Sequence, residues 1–334
     1  MNMAKFARLL RSPNPFARLA LAGARRLRSR ALWAAIPLLT LAACASKPGA
    51  VRLNDSAPAF DGELAYHYAL DATAFGPRPP GSAAHAKLLA WLEGELAGSD
   101  WEALPFTAHT PDGPIPMTNL VARFRGTAPG VIVIGGHYDT LSHRPDFVGA
   151  NDGGSSTGIL LALAKHFEAR PPRGPSVWIV WFDGEEAIRS WVGDDHTYGS
   201  RELARRWKAD SSLKRVRAVL VLDMIGDRRL TVARETNATP WLMNLVCKQA
   251  QRIGAGACFC NYEQAIEDDD APFRAAGIPG ADLIDFRYGP FNSYWHTKQD
   301  TADKLSPRSF HIVGSVVLAT VHALAAQPNG QAHR

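Results

Sequence analysis

Apolar positions along the chain fall into short continuous runs that alternate with longer stretches of helical spacing. Asn119–Phe124 and Val131–Ile134 are short β-branched runs. Val177–Phe182 is apolar without a break, the pattern of a strand covered on both faces, and Val219–Leu222 is another such run. Ala84–Leu96 (after Gly81-Ser82), Ser155–Phe167, Pro240–Arg252 and Ser309–Leu324 carry apolar residues at helical spacing. From Leu64 onward strand-like and helix-like runs alternate. The fold class this predicts is α/β, with a central mixed, mostly parallel sheet flanked by helices on both faces. No interior run of Pro, Gly or Ser is long enough to act as a linker between domains, so residues 61–334 are expected to form a single domain.

The N-terminal segment follows a different pattern. Lys5, Arg8, Arg11, Arg18, Arg25, Arg26, Arg28 and Arg30 are its charges, with no acid before residue 44. An apolar run of 13 residues, Ala31–Ala43, follows; it is too short to span a bilayer and has the length of a signal core. It ends in Leu41-Ala42-Ala43-Cys44, which resembles the lipobox of bacterial lipoproteins. Residues 1–43 are therefore expected to be a signal peptide, Cys44 a lipidated new N-terminus, and residues 44–60, rich in Ala, Ser, Pro and Asp, a tether. Several acyl chains hold a protein on a membrane where one does not. The expected location is exported and lipid-anchored to a bacterial membrane, facing the periplasm or the exterior.

The 334 residues include 37 basic and 32 acidic side chains, a formal net charge of +5. Removing residues 1–43 leaves 29 basic against 32 acidic residues, so the basicity belongs to the signal segment. No nucleic-acid partner is expected, and membrane contact is expected through the lipid alone. Besides Cys44 there are Cys247, Cys258 and Cys260. Cys247 could pair with either of the others, one thiol would remain, and Cys258-x-Cys260 is too close for a usual metal pair. Buried or unpaired thiols are the favoured expectation.

Candidate chemistry sits where strands end. Val131–Ile134 runs into Gly135-Gly136-His137-Tyr138-Asp139, Val177–Phe182 into Asp183-Gly184-Glu185-Glu186, and Val219–Leu222 into Asp223. The run near Asp282–Ile284 leads towards Trp295-His296, and Gly149-Ala150-Asn151-Asp152 opens a helix. In open α/β sheets ligands bind beyond the carboxyl ends of strands. Each residue alone has a bland reading: a bonded structural histidine, a helix cap, a solvated glutamate pair. Together they bring imidazole and carboxylate to one sheet edge without cysteine, a donor set suited to catalytic Zn²⁺. The adjacent glutamates allow one to hold metal while the other moves a proton. The glycine-rich segment 149–158 has no P-loop lysine and no G-x-G-x-x-G, so a nucleotide site is rejected.

On these motifs the sequence resembles the zinc-dependent aminopeptidases and their relatives, the animal-type glutaminyl cyclases, from about Gly76-Pro77-Arg78 to the C-terminal helix. The carrying motifs are Gly-Gly-His137-Tyr-Asp139, Gly149-Ala-Asn-Asp152, Phe182-Asp-Gly-Glu185-Glu186, Leu222-Asp223-Met-Ile-Gly226 and Trp295-His296-Thr297 with Asp300-Thr301. The resemblance implies one zinc on Asp152, Glu186 and His296 for a cyclase, with a possible second site through His137 and Asp223 for an aminopeptidase. The insertion Ile188–Tyr198 before Gly199-Ser200 has the cyclase length and places Trp191 on the pocket tryptophan; Phe291 and Trp295 match pocket aromatics. Asp268 matches the acid that bonds the one at Asp223. Glu267 stands where many cyclases carry Gln and Asp270 where both branches often carry His; Gly136 leaves no counterpart for the animal enzymes' disulfide beside the zinc.

The implied activity is a glutaminyl-peptide cyclotransferase acting on peptide or protein N-termini that bear Gln, with Glu185, Asp223 and Asp268 as catalytic groups and a monomer as the working unit. The alternative is a two-zinc aminopeptidase, in which Glu185 activates water. A non-catalytic binding lipoprotein on the same fold is disfavoured because Glu185 and every ligand type are retained.

Overall fold

The computed structural model describes residues 51–327. The expected signal segment, Cys44 and the beginning of the tether lie outside the described residues. The remainder of the tether stretch, 51–60, is held on the domain: Asn54 N donates to the Ile253 carbonyl at 3.0 Å, and Phe60 is buried.

The chain forms α1 (Gly62–Ala74), α2 (Ala83–Glu95), β1 (Trp101–Thr110), β2 (Gly113–Phe124), β3 (Val131–His137), α3 (Gly154–Ala169), β4 (Ser176–Phe182), α4 (Tyr198–Ala209) and β5 (Val216–Asp223). It continues through β6 (Val232–Glu235), α5 (Pro240–Arg252), β7 (Phe259–Gln264), the short α6 (Ala271–Ala275), β8 (Gly280–Ile284) and α7 (Pro307–Ala325). Six strands make one sheet in the order β1-β2-β4-β3-β5-β8, and β6 and β7 form a small parallel pair. β4, β3, β5 and β8 are mutually parallel, and the β1–β2 hairpin is added antiparallel at one edge. The mixed, mostly parallel α/β sheet expected from the sequence is the one observed.

The continuous apolar runs have a direct cause. On β3, Ile132 and Ile134 face one layer while Val131 and Val133 face the other. On β5, Leu220 and Leu222 face the layer of α1, α3, α5 and α7, while Val219 and Val221 face α4 and α6. Successive side chains point to opposite faces and both faces are covered, so the middle of each strand is apolar at consecutive positions. α7 is long and apolar enough to cross a membrane, yet 72% of its most apolar stretch is buried inside the domain, as in a core helix.

Gly136 shows how tightly the end of β3 is packed. A Cβ there would lie 2.6 Å from the Leu222 carbonyl and 2.8 Å from Ser156 Cβ. A cysteine at this position has no room beside β5 and α3.

One expectation is corrected. Cys247 on α5 and Cys260 on β7 form a disulfide, with Cα atoms 5.9 Å apart, and Cys258 remains free and half-buried. The packing of β7 against α5 brings the two cysteines side by side, although 13 residues separate them in sequence.

Candidate active site

The carboxyl ends of β3, β4 and β5 and the N-terminus of α3 converge. His137 closes β3, Glu185 and Glu186 follow β4, Asp223 closes β5, and Asp152 precedes α3. His296 comes from the loop after β8. It sits at φ +55°, an uncommon conformation for a non-glycine residue, and stacks on Trp295 at 4.0 Å.

Asp152 stands between the two histidines. His137 Nε2 lies 3.2 Å from Asp152 Oδ1 and 3.2 Å from Asp223 Oδ1. His296 Nε2 lies 3.4 Å from Asp152 Oδ2 and 3.3 Å from Glu186 Oε2. The structure therefore assembles two sets, His137–Asp152–Asp223 and Asp152–Glu186–His296, each with its ligand-type atoms within 4.8 Å of one another.

The main chain around these groups is fixed by buried partners. Asp139 accepts from the N–H of Glu185 (3.1 Å) and of Glu186 (3.2 Å). Asp300 accepts from the N–H of Asn151 (2.8 Å) and Asp152 (3.1 Å) and from the Tyr288 hydroxyl (2.6 Å). Asn151 bridges to β5 by donating to the Met224 carbonyl at 3.0 Å and accepting from Gly226 N at 2.7 Å. Asp139, Asp300, Tyr288 and Arg78 were not given roles from sequence; each stood in or near a quoted motif, but what they hold is largely main chain.

Whether the residues fit a metal ion is answered by unpaired atoms. Asp152 Oδ2, both Glu186 carboxylate oxygens and His137 Nδ1 are buried with no hydrogen-bond partner. Leaving a buried polar group unpaired costs about 1–3 kcal/mol, and more for a charge. A divalent cation facing Asp152 and Glu186 removes that cost, and imidazole with carboxylate is the donor chemistry of catalytic zinc.

The electrostatics are those of a buried acid cluster. Burial pushes the Glu185 carboxyl well above its usual value; His137 opposes this, while Asp268 and Glu186 add to it. Burial and the charge of Asp152 push Glu186 up to about 7. Asp152 itself is held low, because the facing imidazoles of His137 and His296 outweigh its burial. Burial would lower His296, but Glu186 and Asp152 carry it up to about 10. Asp268 is raised well above the carboxylate range, first by burial and then by Asp223.

Above this cluster lies a cavity of about 320 Å³, lined by Asp152, Glu185, Glu186, Asp223, Asp268 and His296 together with Trp191, Ile266, Ile284, Phe286 and Trp295. Trp191 belongs to the long insertion, which Asp195 organises by accepting from the N–H groups of Ile188, Arg189 and Ser190 and from the Tyr198 hydroxyl. Trp191 stacks on His196 at 4.1 Å. Phe286 meets Trp295 edge-on at 4.9 Å.

The expectation for Phe291 is corrected. Its side chain is fully exposed and does not line the cavity. Phe291 and Asn292 adopt φ +54° and +60° in the tight turn after Gly289-Pro290, which aims the ring outward. Phe286, directly after β8, supplies the aromatic wall instead.

An α/β sheet with histidine and carboxylate ligand sets at its carboxyl edge defines a zinc-aminopeptidase-like enzyme class. Peptidase family M28 matches residues 119–321, and the chain belongs to this family. The chain is similar to a solved glutaminyl cyclase from an Acidobacteriales bacterium, with 39% identity, a TM-score of 0.79, and coverage of 82% of this chain and 98% of that one. It is 29% identical to the glutaminyl-peptide cyclotransferase-like protein of Mus musculus over 72% of this chain and 70% of the relative. A Zn-dependent exopeptidase from Parabacteroides distasonis is 26% identical with a TM-score of 0.72, covering 81% of this chain and all of that one.

Proposed function

We infer that this chain is a glutaminyl-peptide cyclotransferase, which closes an N-terminal glutamine to pyroglutamate and releases ammonia. The observation that carries this reading is the aromatic-walled cavity in which Trp191, Trp295 and Phe286 surround Glu185 and the Asp152–Glu186–His296 set. The similarity to glutaminyl cyclases supports it. The substrates are peptides and proteins that begin with Gln.

Asp152, Glu186 and His296 would hold a zinc ion, which as a Lewis acid polarises the side-chain carbonyl of the glutamine. Glu185 accepts a proton from the α-amine as its nitrogen bonds to the side-chain carbonyl carbon. Glu185 then returns that proton to the departing amide nitrogen, whose bond to the same carbon breaks. Burial raises the Glu185 carboxyl above its usual value, the direction that suits a group which must both take and return a proton. Asp223 and Asp268, both raised by burial, would hold the leaving nitrogen by hydrogen bonds. The aromatic walls hold the glutaminyl chain folded and limit water, which favours cyclisation over hydrolysis. Because the nucleophile belongs to the substrate, orientation is the main contribution.

The completeness of the His137–Asp152–Asp223 set favours a second reading, a two-metal aminopeptidase in which Glu185 takes a proton from water. Mass analysis of a Gln-initiated peptide separates the two. Loss of one ammonia supports the cyclase; loss of the whole first residue supports the peptidase. Metal analysis is expected to give close to one zinc per chain, whereas two tightly held zincs favour the peptidase.

We also propose that the enzyme is exported and anchored through a lipid on Cys44. Cys44→Ala is expected to move it from the membrane fraction to the soluble fraction; unchanged membrane retention would contradict the anchor.

A further inference from the structure

Arg78 is a fully buried charge that the chemistry above leaves unused. It lies in the loop between α1 and α2 and makes no ion pair among the described residues. Its guanidinium donates to main-chain carbonyls instead: Nε to Tyr138 at 2.8 Å, Nη1 to Val148 at 2.5 Å and Nη2 to Gly149 at 2.9 Å. Longer contacts of 3.5 Å reach the carbonyls of Gly76 and Asp152. Its own N–H donates to Thr140 Oγ1 at 2.9 Å, so the residue is pinned at both ends.

These partners are not scattered. Tyr138 follows His137 at the end of β3, and Val148 and Gly149 lead into Asn151-Asp152. Asp300 already accepts the N–H groups of Asn151 and Asp152, and Arg78 takes the carbonyl side of the same loop. The packing leaves no slack: a Cβ on Gly153 would come within 3.1 Å of both Arg78 Nη2 and His137 Cε1. A rigid planar fork of five donors holds several carbonyls at fixed angles at once, whereas an ammonium group has three donors on a flexible stem. The four acids around it, Asp300, Asp139, Asp152 and Glu186, keep the guanidinium charged despite burial.

We propose that Arg78 is a positioning residue for metal binding: it clamps the Val148–Asp152 loop against the end of β3, so that Asp152 faces the His137 and His296 sets together. This rests on the metal-site reading and is independent of whether the reaction is cyclisation or hydrolysis. Groups that orient a metal ligand are typically worth about 10- to 100-fold in metal affinity.

The test is Arg78→Lys, which keeps the charge and loses the fork. Competition with a chromophoric chelator is expected to show zinc affinity at least about tenfold weaker. At saturating zinc, kcat falls while KM for a glutaminyl substrate stays within twofold. Added guanidinium ion is expected to restore zinc affinity to Arg78→Ala and to leave the parent unchanged. A merely structural arginine would lower the unfolding temperature while the folded protein bound zinc as the parent does; that result overturns the proposal. Should Arg78→Lys not fold, Thr140→Val removes only the acceptor of the Arg78 N–H. A measurable loss of zinc affinity is then expected, and parent-like affinity overturns the proposal. A chain that hydrolyses leucyl substrates yet loses zinc affinity on Arg78→Lys would refute the cyclase reading and leave this one standing.

Discussion

Replacing Asp139 by Asn tests how Glu185, the proposed proton carrier, is held. Asp139 is fully buried, and its two oxygens divide the work: Oδ1 accepts from Glu185 N and Oδ2 from Glu186 N. Asn has the same shape and nearly the same volume, so no cavity opens. It offers one acceptor, and its amide N–H₂ must face whichever backbone N–H is left over. A hydrogen bond to a carboxylate contributes about 1.5–3 kcal/mol. If that loss falls wholly on the transition state, kcat drops roughly 10- to 150-fold. The assay is steady-state ammonia release from glutaminyl-naphthylamide with zinc in excess. KM is expected to change little, because the cavity walls Trp191, Phe286 and Trp295 are untouched. A kcat within twofold of the parent, in a folded variant, would refute the reasoning.

Glu185→Gln is expected to keep zinc and lower kcat by about 100- to 10,000-fold; substantial turnover would remove Glu185 as the proton carrier. Phe286→Ala should raise KM for glutaminyl substrates while Phe291→Ala leaves kcat/KM within twofold, and the reverse pattern would return Phe291 to the pocket. His85 supplies a pH prediction. Burial alone would lower its imidazole, but the buried Asp183, 2.8 Å away, carries it above its usual value. A pKa raised on folding gives stability that is complete below about pH 6.5 and lost as pH rises through the folded value. The unfolding midpoint should therefore decline through that window, and His85→Phe should flatten the decline; an unchanged slope in the variant would assign it elsewhere.

What the sequence displayed depended on whether a residue's work is done by its side chain. β3, β4 and β5 were legible because burial on both faces leaves the middle of each strand apolar at consecutive positions, and His137, Glu186 and Asp223 were legible because they stand at or just beyond the ends of those runs. β1 was hidden: Pro105 interrupts the run, and an edge strand tolerates it. Phe291 was misplaced because a left-handed turn, invisible in residue spacing, decides which aromatic of the Phe286–Trp295 segment points inward. The Cys247–Cys260 pairing depends on β7 lying against α5 and β6, contacts that an odd thiol count could not select. Arg78 and Asp139 escaped for another reason. Their partners are main-chain carbonyls and N–H groups, which every residue carries and no sequence pattern marks.

The central claim is that this site closes glutamine on itself rather than cutting peptide bonds. The direct measurement offers the zinc-loaded enzyme glutaminyl-naphthylamide and leucyl-nitroanilide side by side. The account predicts a cyclised pyroglutamyl product with ammonia from the first and no release of nitroaniline from the second; rapid leucine release with uncyclised glutamine would contradict it.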